Sequence, residues 1–234
     1  MGKLVVISGL PASGKSTLIR ELKEKYGVIS VPEHNEWVKG KFPKVPENIE
    51  EKIEKQRFFL NLDIARYNWA MEHLDKTDII ISDTDFTSPL AHNYAERWLL
   101  PDFNIYDWMV DEYIEQLKAK KLGLADYYIY LDVSFENRLK RREEDFQNSG
   151  RKRNDMFFTN PFPRDMREFH YIMINENSHR KCLPSTWYDN TKDIREAADD
   201  LWDIISKVKK DETPEETFNK FANSLQDTKN DKQR

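Results

Sequence analysis

The sequence predicts an α/β fold, a parallel sheet with helices on both faces. Short apolar runs alternate along the chain with longer stretches of helical periodicity, the pattern left by strands joined through crossover helices. The run Ile79, Ile80, Ile81 shows no polar alternation, as expected of a strand covered on both sides. A loop rich in small residues and ending in a lysine joins the first apolar run to the first helical stretch.

Taken in order, residues 3–8 read as a buried strand. Residues 16–26 carry Leu18, Ile19, Leu22 and Tyr26 on one helical face, and Gly27 closes that helix. Residues 28–31 form a second strand, expected beside the first and ended by Pro32. A long charged helix spans 46–75, with room for one break, and the third strand is 78–82. Helices at 88–98 and 106–121 flank Pro101, and 127–133 is the next buried strand. Residues 135–146 form a helix loaded with Arg and Lys. A helix at 163–178, a short strand at 186–188 and a helix at 194–208 complete the series. Residues 1–208 are therefore expected to form one domain. The extension 209–234 is polar, but Thr213-Pro214 precedes Phe218, Phe221 and Leu225 at helical spacing, which predicts a short docked helix before a mobile tail from Asp227.

The chain has 234 residues and a net charge of −5, which argues against a grip on long nucleic acid. Cys182 is the one cysteine and cannot build an intramolecular disulfide. The run Leu4 to Ile7 is too short for a signal segment or a membrane span, and Val6 stands where an acylation signal needs Ser or Thr. A cytoplasmic setting without a membrane partner is expected. Homodimerisation stays open. The five His and the one Cys show no metal-ligand spacing.

Gly9-Leu10-Pro11-Ala12-Ser13-Gly14-Lys15-Ser16 satisfies G-x-x-x-x-G-K-[ST] in full. Gly9 and Gly14 permit backbone conformations and close approach that a Cβ would block, so the amides around Ala12 and Ser13 can point at phosphate oxygens. Lys15 brings a charge to the β- and γ-phosphates, Ser16 offers a hydroxyl to Mg²⁺, and Thr17 adds a polar group at the helix start. The expected cofactors are ATP and Mg²⁺, and the expected fold is that of the P-loop NTPases. Motors, GTPases and kinases share this loop, so other segments must name the reaction.

Val31-Pro32-Glu33-His34-Asn35-Glu36-Trp37 resembles the Val-Pro-Glu segment, closely followed by Trp, of the deoxynucleoside kinases. The resemblance implies that Glu33 is the general base for a substrate hydroxyl, with Glu36 the lesser candidate. A carboxylate suits that task, because phosphoryl transfer leaves the protein mainly positioning and proton acceptance. It also implies an amide at Gln56 that reads a base edge, an aromatic wall at Phe58 and Phe59, and Trp37 stacking or packing nearby. Arg57 is the available cation should the acceptor already bear a phosphate.

Asp83 ends the third strand, where a carboxylate can hold Mg²⁺ directly or through water. The stretch after it, Phe86 to Asn93, resembles the thymidylate kinases. Those kinases and the deoxynucleoside kinases carry Arg directly after the acid, whereas this chain has Thr84, so one cation is missing; Asp85 is a candidate to compensate or to bind substrate. Tyr128 to Val133 followed by Arg138 to Arg142 resembles their strand and basic lid helix, which places a lid at about 134–160. Arg138 and Arg142 share a helix face and are expected to neutralise charge on the transferred phosphoryl group, while Arg141 points elsewhere. Gly150 to Arg153 reads as a flexible continuation of the lid. His170 reads as a packed interior residue, and the resemblance alone implies that Asp189-Asn190-Thr191 is the loop beside adenine.

The resemblance, over residues 3–206, implies transfer of the γ-phosphoryl of ATP to a hydroxyl of a nucleoside-like small molecule. A nucleoside monophosphate acceptor, a hydroxyl-bearing antibiotic, a polynucleotide 5′ end and a non-catalytic ATP-sensing role remain as alternatives.

Overall fold

The computed structural model describes residues 2–149, 155–175, 177–208 and 213–231. The strands are β1 (Lys3–Ser8), β2 (Ile29–Ser30), β3 (Ile79–Ser82), β4 (Tyr127–Asp132) and β5 (Ser185–Asp189). They form one parallel sheet in the order β2-β3-β1-β4-β5. The helices are α1 (Lys15–Tyr26), α2 (His34–Val38), α3 (Ile49–His73), α4 (Thr87–Leu99), α5 (Tyr106–Lys118), α6 (Phe135–Ser149), α7 (Phe162–Ile174), α8 (Ile194–Lys207) and α9 (Pro214–Lys229). Short 3₁₀ turns occur at Pro101–Phe103 and Asp155–Phe158.

Alternate strand side chains enter two separate cores. Val5, Ile7, Ile81, Ile129 and Leu131 pack with Leu18 and Leu22 of α1 and with Leu201 and Ile205 of α8. On the other face Leu4, Val6, Ile80, Tyr128 and Tyr130 meet side chains of α3, α4, α5, α7 and α9. This is the P-loop NTPase fold that the sequence predicts.

Two features differ from expectation. β2 does not lie beside β1; β3 stands between them. The triple isoleucine of β3 is fully apolar and takes an inner place, whereas the two half-buried residues of β2 suit an edge. The second difference is the C-terminal segment, which is helical to Lys229 and docked beyond it. Thr213 and Glu216 form a capping box. Phe221, Leu225 and Thr228 are fully buried. Past the helix, Arg180 holds both oxygens of Asp231 at 3.1 and 3.0 Å. The segment from Asp227 to Asp231, read in the sequence as mobile tail, is therefore built into the molecule. α3 also runs unbroken from its Asn48 cap, and α2 is a helix that the sequence reading left as a segment without assignment.

Among the described residues no helix is long and apolar enough to cross a membrane.

Candidate active site

The loop between β1 and α1 has the backbone its glycines allow. Gly9, Ala12 and Gly14 have φ of 148°, 65° and 95°. A Cβ at Gly9 would come within 2.8 Å of Leu131 O and of Ser13 Oγ, and one at Gly14 within 3.0 Å of Asn190 Nδ2. Only glycine fits either place. α1 starts at Gly14 without a side-chain cap and without an acid in its first turn, so its leading N–H groups and dipole face the loop cavity uncompensated by carboxylate. That arrangement fits a polyphosphate. Lys15 Nζ donates to Gly9 O at 2.7 Å and Leu10 O at 3.2 Å, which holds the ammonium inside the loop.

Ser16, Glu33 and Asp83, which three separate elements supply, line one cleft of about 290 Å³. Glu33 is exposed. Glu36 shares the cleft, but its Oε1 accepts the Glu33 N–H at 2.9 Å and so holds Glu33's backbone. Arg20 and Lys23 of α1 also line this cleft. Among the described residues no group of three or more His, Cys, Asp or Glu could hold a metal ion. A divalent ion here would depend on Ser16, Asp83 and the phosphates of a bound nucleotide, which suits Mg²⁺ and its few protein ligands.

The basic helix α6 lies over the loop. Arg138, 2 % exposed, donates to Pro11 O at 3.0 Å and Phe157 O at 2.6 Å. Burial lowers its pKa, opposed by Tyr130 and Asp132. Arg141 donates to Ser13 O and Asn190 O, each at 3.0 Å, and Asn190 Nδ2 donates to Ser13 O at 2.7 Å. Arg142 instead pairs with the exposed Asp155 and lies over the Phe158 ring. The structure therefore brings Arg138 and Arg141 to the loop, not Arg138 and Arg142. Residues three apart share a helix face as well as residues four apart, and the docking of α6 selects the first pair. Gly150 to Arg153 lie outside the described residues.

The remaining candidates divide. Trp37 Nε1 donates to Pro32 O at 3.2 Å, so the indole braces the turn that carries Glu33. Phe59 packs against Phe42, Phe58 and His34; Phe42, from an irregular segment, is an aromatic that periodicity could not have found. Gln56 Oε1 is buried without a partner among the described residues. Arg57 lies 5.6 Å from the Trp108 ring and is not among the residues lining the cleft. Asp85 turns inward and accepts the N–H and hydroxyl of Thr87 at 2.9 and 2.5 Å. Desolvation raises its pKa to about 6 despite those bonds. His170 is buried against Tyr130 and Phe169, and burial with Lys15 nearby lowers it to about 3.

Fold and loop together are those of the P-loop class of α/β proteins. No family model matches the chain, and no curated protein matches it. Among solved structures it is similar to a deoxyadenosine kinase from M. mycoides with the products dCMP and a flexible dCDP bound, at 17 % identity and a TM-score of 0.61 over 88 % of this chain and 100 % of that one. The same enzyme with dATP bound gives 16 % identity and a TM-score of 0.59, over 87 % and 99 %. Thymidylate kinase from Candida albicans gives 18 % and 0.61, over 88 % and 91 %. At these identities the likeness is one of fold.

Proposed function

We propose that the protein transfers the γ-phosphoryl group of ATP to a hydroxyl of a nucleoside-like small molecule. The observation that carries this reading is the convergence of Ser16, Glu33 and Asp83 on one cleft beside the phosphate loop. Bound MgATP supplies the phosphoryl group. Lys15 and the first-turn amides of α1 hold its phosphates, Ser16 and Asp83 face the metal, and Glu33 accepts the proton of the acceptor hydroxyl. Glu33 and Glu36 form a reciprocal capping box, and Glu33 is preferred as the base because it directly follows the end of the strand at Pro32. Arg138 and Arg141, which now donate to carbonyls of the loop and its neighbours, stand where guanidinium groups can turn to transferring oxygens. Both solved neighbours carry kinase names, which supports a phosphotransferase.

A nucleoside monophosphate acceptor is the second reading, favoured by Arg20 and Lys23 in the cleft wall. Glu24, Glu33 and Glu36 in the same wall oppose a second anion, and the hydroxyl acceptor is preferred.

An ADP-release screen over deoxynucleosides and their monophosphates tests the reading. Lys15→Ala is expected to lose nucleotide binding. Glu33→Gln is expected to keep it and lose turnover by about 100-fold or more. Near-normal turnover in Glu33→Gln removes Glu33 from the mechanism.

A further inference from the structure

We propose that Arg66 is a positioning residue that sets the two acidic groups of the cleft, Glu33 and Asp83, in register; the proposal rests on the phosphoryl-transfer reading above. The β2–β3 ladder ends at Val31, whose N–H donates to Ile81 O at 2.8 Å. The next donor on that side is the Glu33 N–H, which goes to Glu36 Oε1 at 2.9 Å instead of to β3. Both candidate acids lie beyond that last rung, so another group must join the two strand tips.

Arg66, in the middle of α3 and 3 % exposed, does this. Its Nε donates to Pro32 O at 3.2 Å, and Nη1 lies 3.1 Å from His34 Nε2. Pro32 and His34 are the two neighbours of Glu33 in the chain. From the other side of the same plane Nη2 donates to Asp83 Oδ1 at 2.8 Å and to Ser82 Oγ at 3.3 Å, while Nη1 reaches Thr84 O at 3.4 Å. The residue after Asp83 is the neutral Thr84, so its own loop offers that carboxylate no adjacent cation. A guanidinium is a rigid planar fork with five donors. One such group therefore holds the Pro32 carbonyl on one side of Glu33, the His34 ring on the other, and one oxygen of Asp83, leaving the second oxygen for the metal. A lysine, with a single compact ammonium, cannot span the same set.

The test compares wild type, Arg66→Lys and Arg66→Met by melting temperature, by affinity for a fluorescent ATP analogue, and by kcat and half-saturating Mg²⁺ in ADP release with deoxyadenosine or deoxycytidine. Arg66→Met is expected to bind the analogue within about threefold of wild type yet lose about 10- to 100-fold in kcat and need more Mg²⁺. Arg66→Lys should recover part of kcat. A folded Arg66→Met protein with unchanged kcat and Mg²⁺ dependence overturns the proposal. Should Arg66→Met fail to fold, Arg66→Lys decides: lower kcat at unchanged melting temperature and analogue affinity supports the role, and wild-type kcat overturns it. If the wild-type protein releases no ADP with any acceptor tried, the phosphoryl-transfer reading fails separately. Affinity for Mn²⁺ in the presence of the analogue, expected to fall about 10-fold in Arg66→Met, then still reads the link to Asp83.

Discussion

Asp85 pairs with Thr87 through two short hydrogen bonds, yet desolvation dominates and its pKa rises to about 6 from the usual 3.8. The folded state thus holds the proton more tightly than the unfolded chain does. Stability from this group is complete below about pH 4 and is lost as pH rises through about 6. Asp85→Asn keeps an acceptor for Thr87 and cannot ionise. Its melting temperature should match wild type near pH 4 and exceed it above pH 6, a gain of about 1–3 kcal/mol; no gain at pH 8 would mean Asp85 is not desolvated. His170 acts in the opposite direction. Its pKa is lowered to about 3, so its contribution is present above about pH 6.5 and fades as pH falls. The same scale separates the arginines of α6. Arg141→Ala removes donors to Ser13 and Asn190 and should weaken ATP binding and turnover. Arg142→Ala breaks a pair with the exposed Asp155 and should leave both within about twofold, since exposed pairs contribute little. Equal losses in the two variants, read by titration and ADP release, would contradict the assignment.

At the scale of elements, α9 is the segment whose role the sequence least suggested. Its Phe221 ring meets Phe86 edge-on at 5.8 Å, and Phe86 in turn stacks on Tyr113 at 5.4 Å. Phe86 directly follows Asp85, so α9 braces from behind the segment that leads away from Asp83. Arg97 of α4 donates to the carbonyls of Thr228 and Asp231 at the end of α9. Phe221→Ala should cost about 3–5 kcal/mol of stability by leaving a cavity in this stack. Chemical denaturation measures it, and a loss below about 1 kcal/mol would show that α9 is only loosely applied. α6 presents the complementary case. It carries many charges, but Arg138 is as buried as core residues because its guanidinium satisfies two carbonyls and lies 5.1 Å from the Phe158 ring centre.

For the molecule as a whole, the strand and helix series and the phosphate loop were legible in the sequence because each depends on neighbours. The loop motif fits within eight residues: its glycines set the backbone geometry, and its lysine and serine bring an ammonium and a hydroxyl to the same place. The apolar run of β3 announced a strand buried on both faces for the same local reason. Tertiary structure alone decided the rest. That β3 lies between β1 and β2, that α6 turns Arg141 and not Arg142 to the loop, and that the segment from Asp227 to Asp231 is docked all follow from pairing and packing between distant residues. Arg66 meets Asp83 across seventeen positions of chain, from a long helix whose charged residues follow no local rule that singles one out. Local chemistry is written in local sequence, whereas a contact made by closure of the chain exists only once the surfaces around it have chosen their partners.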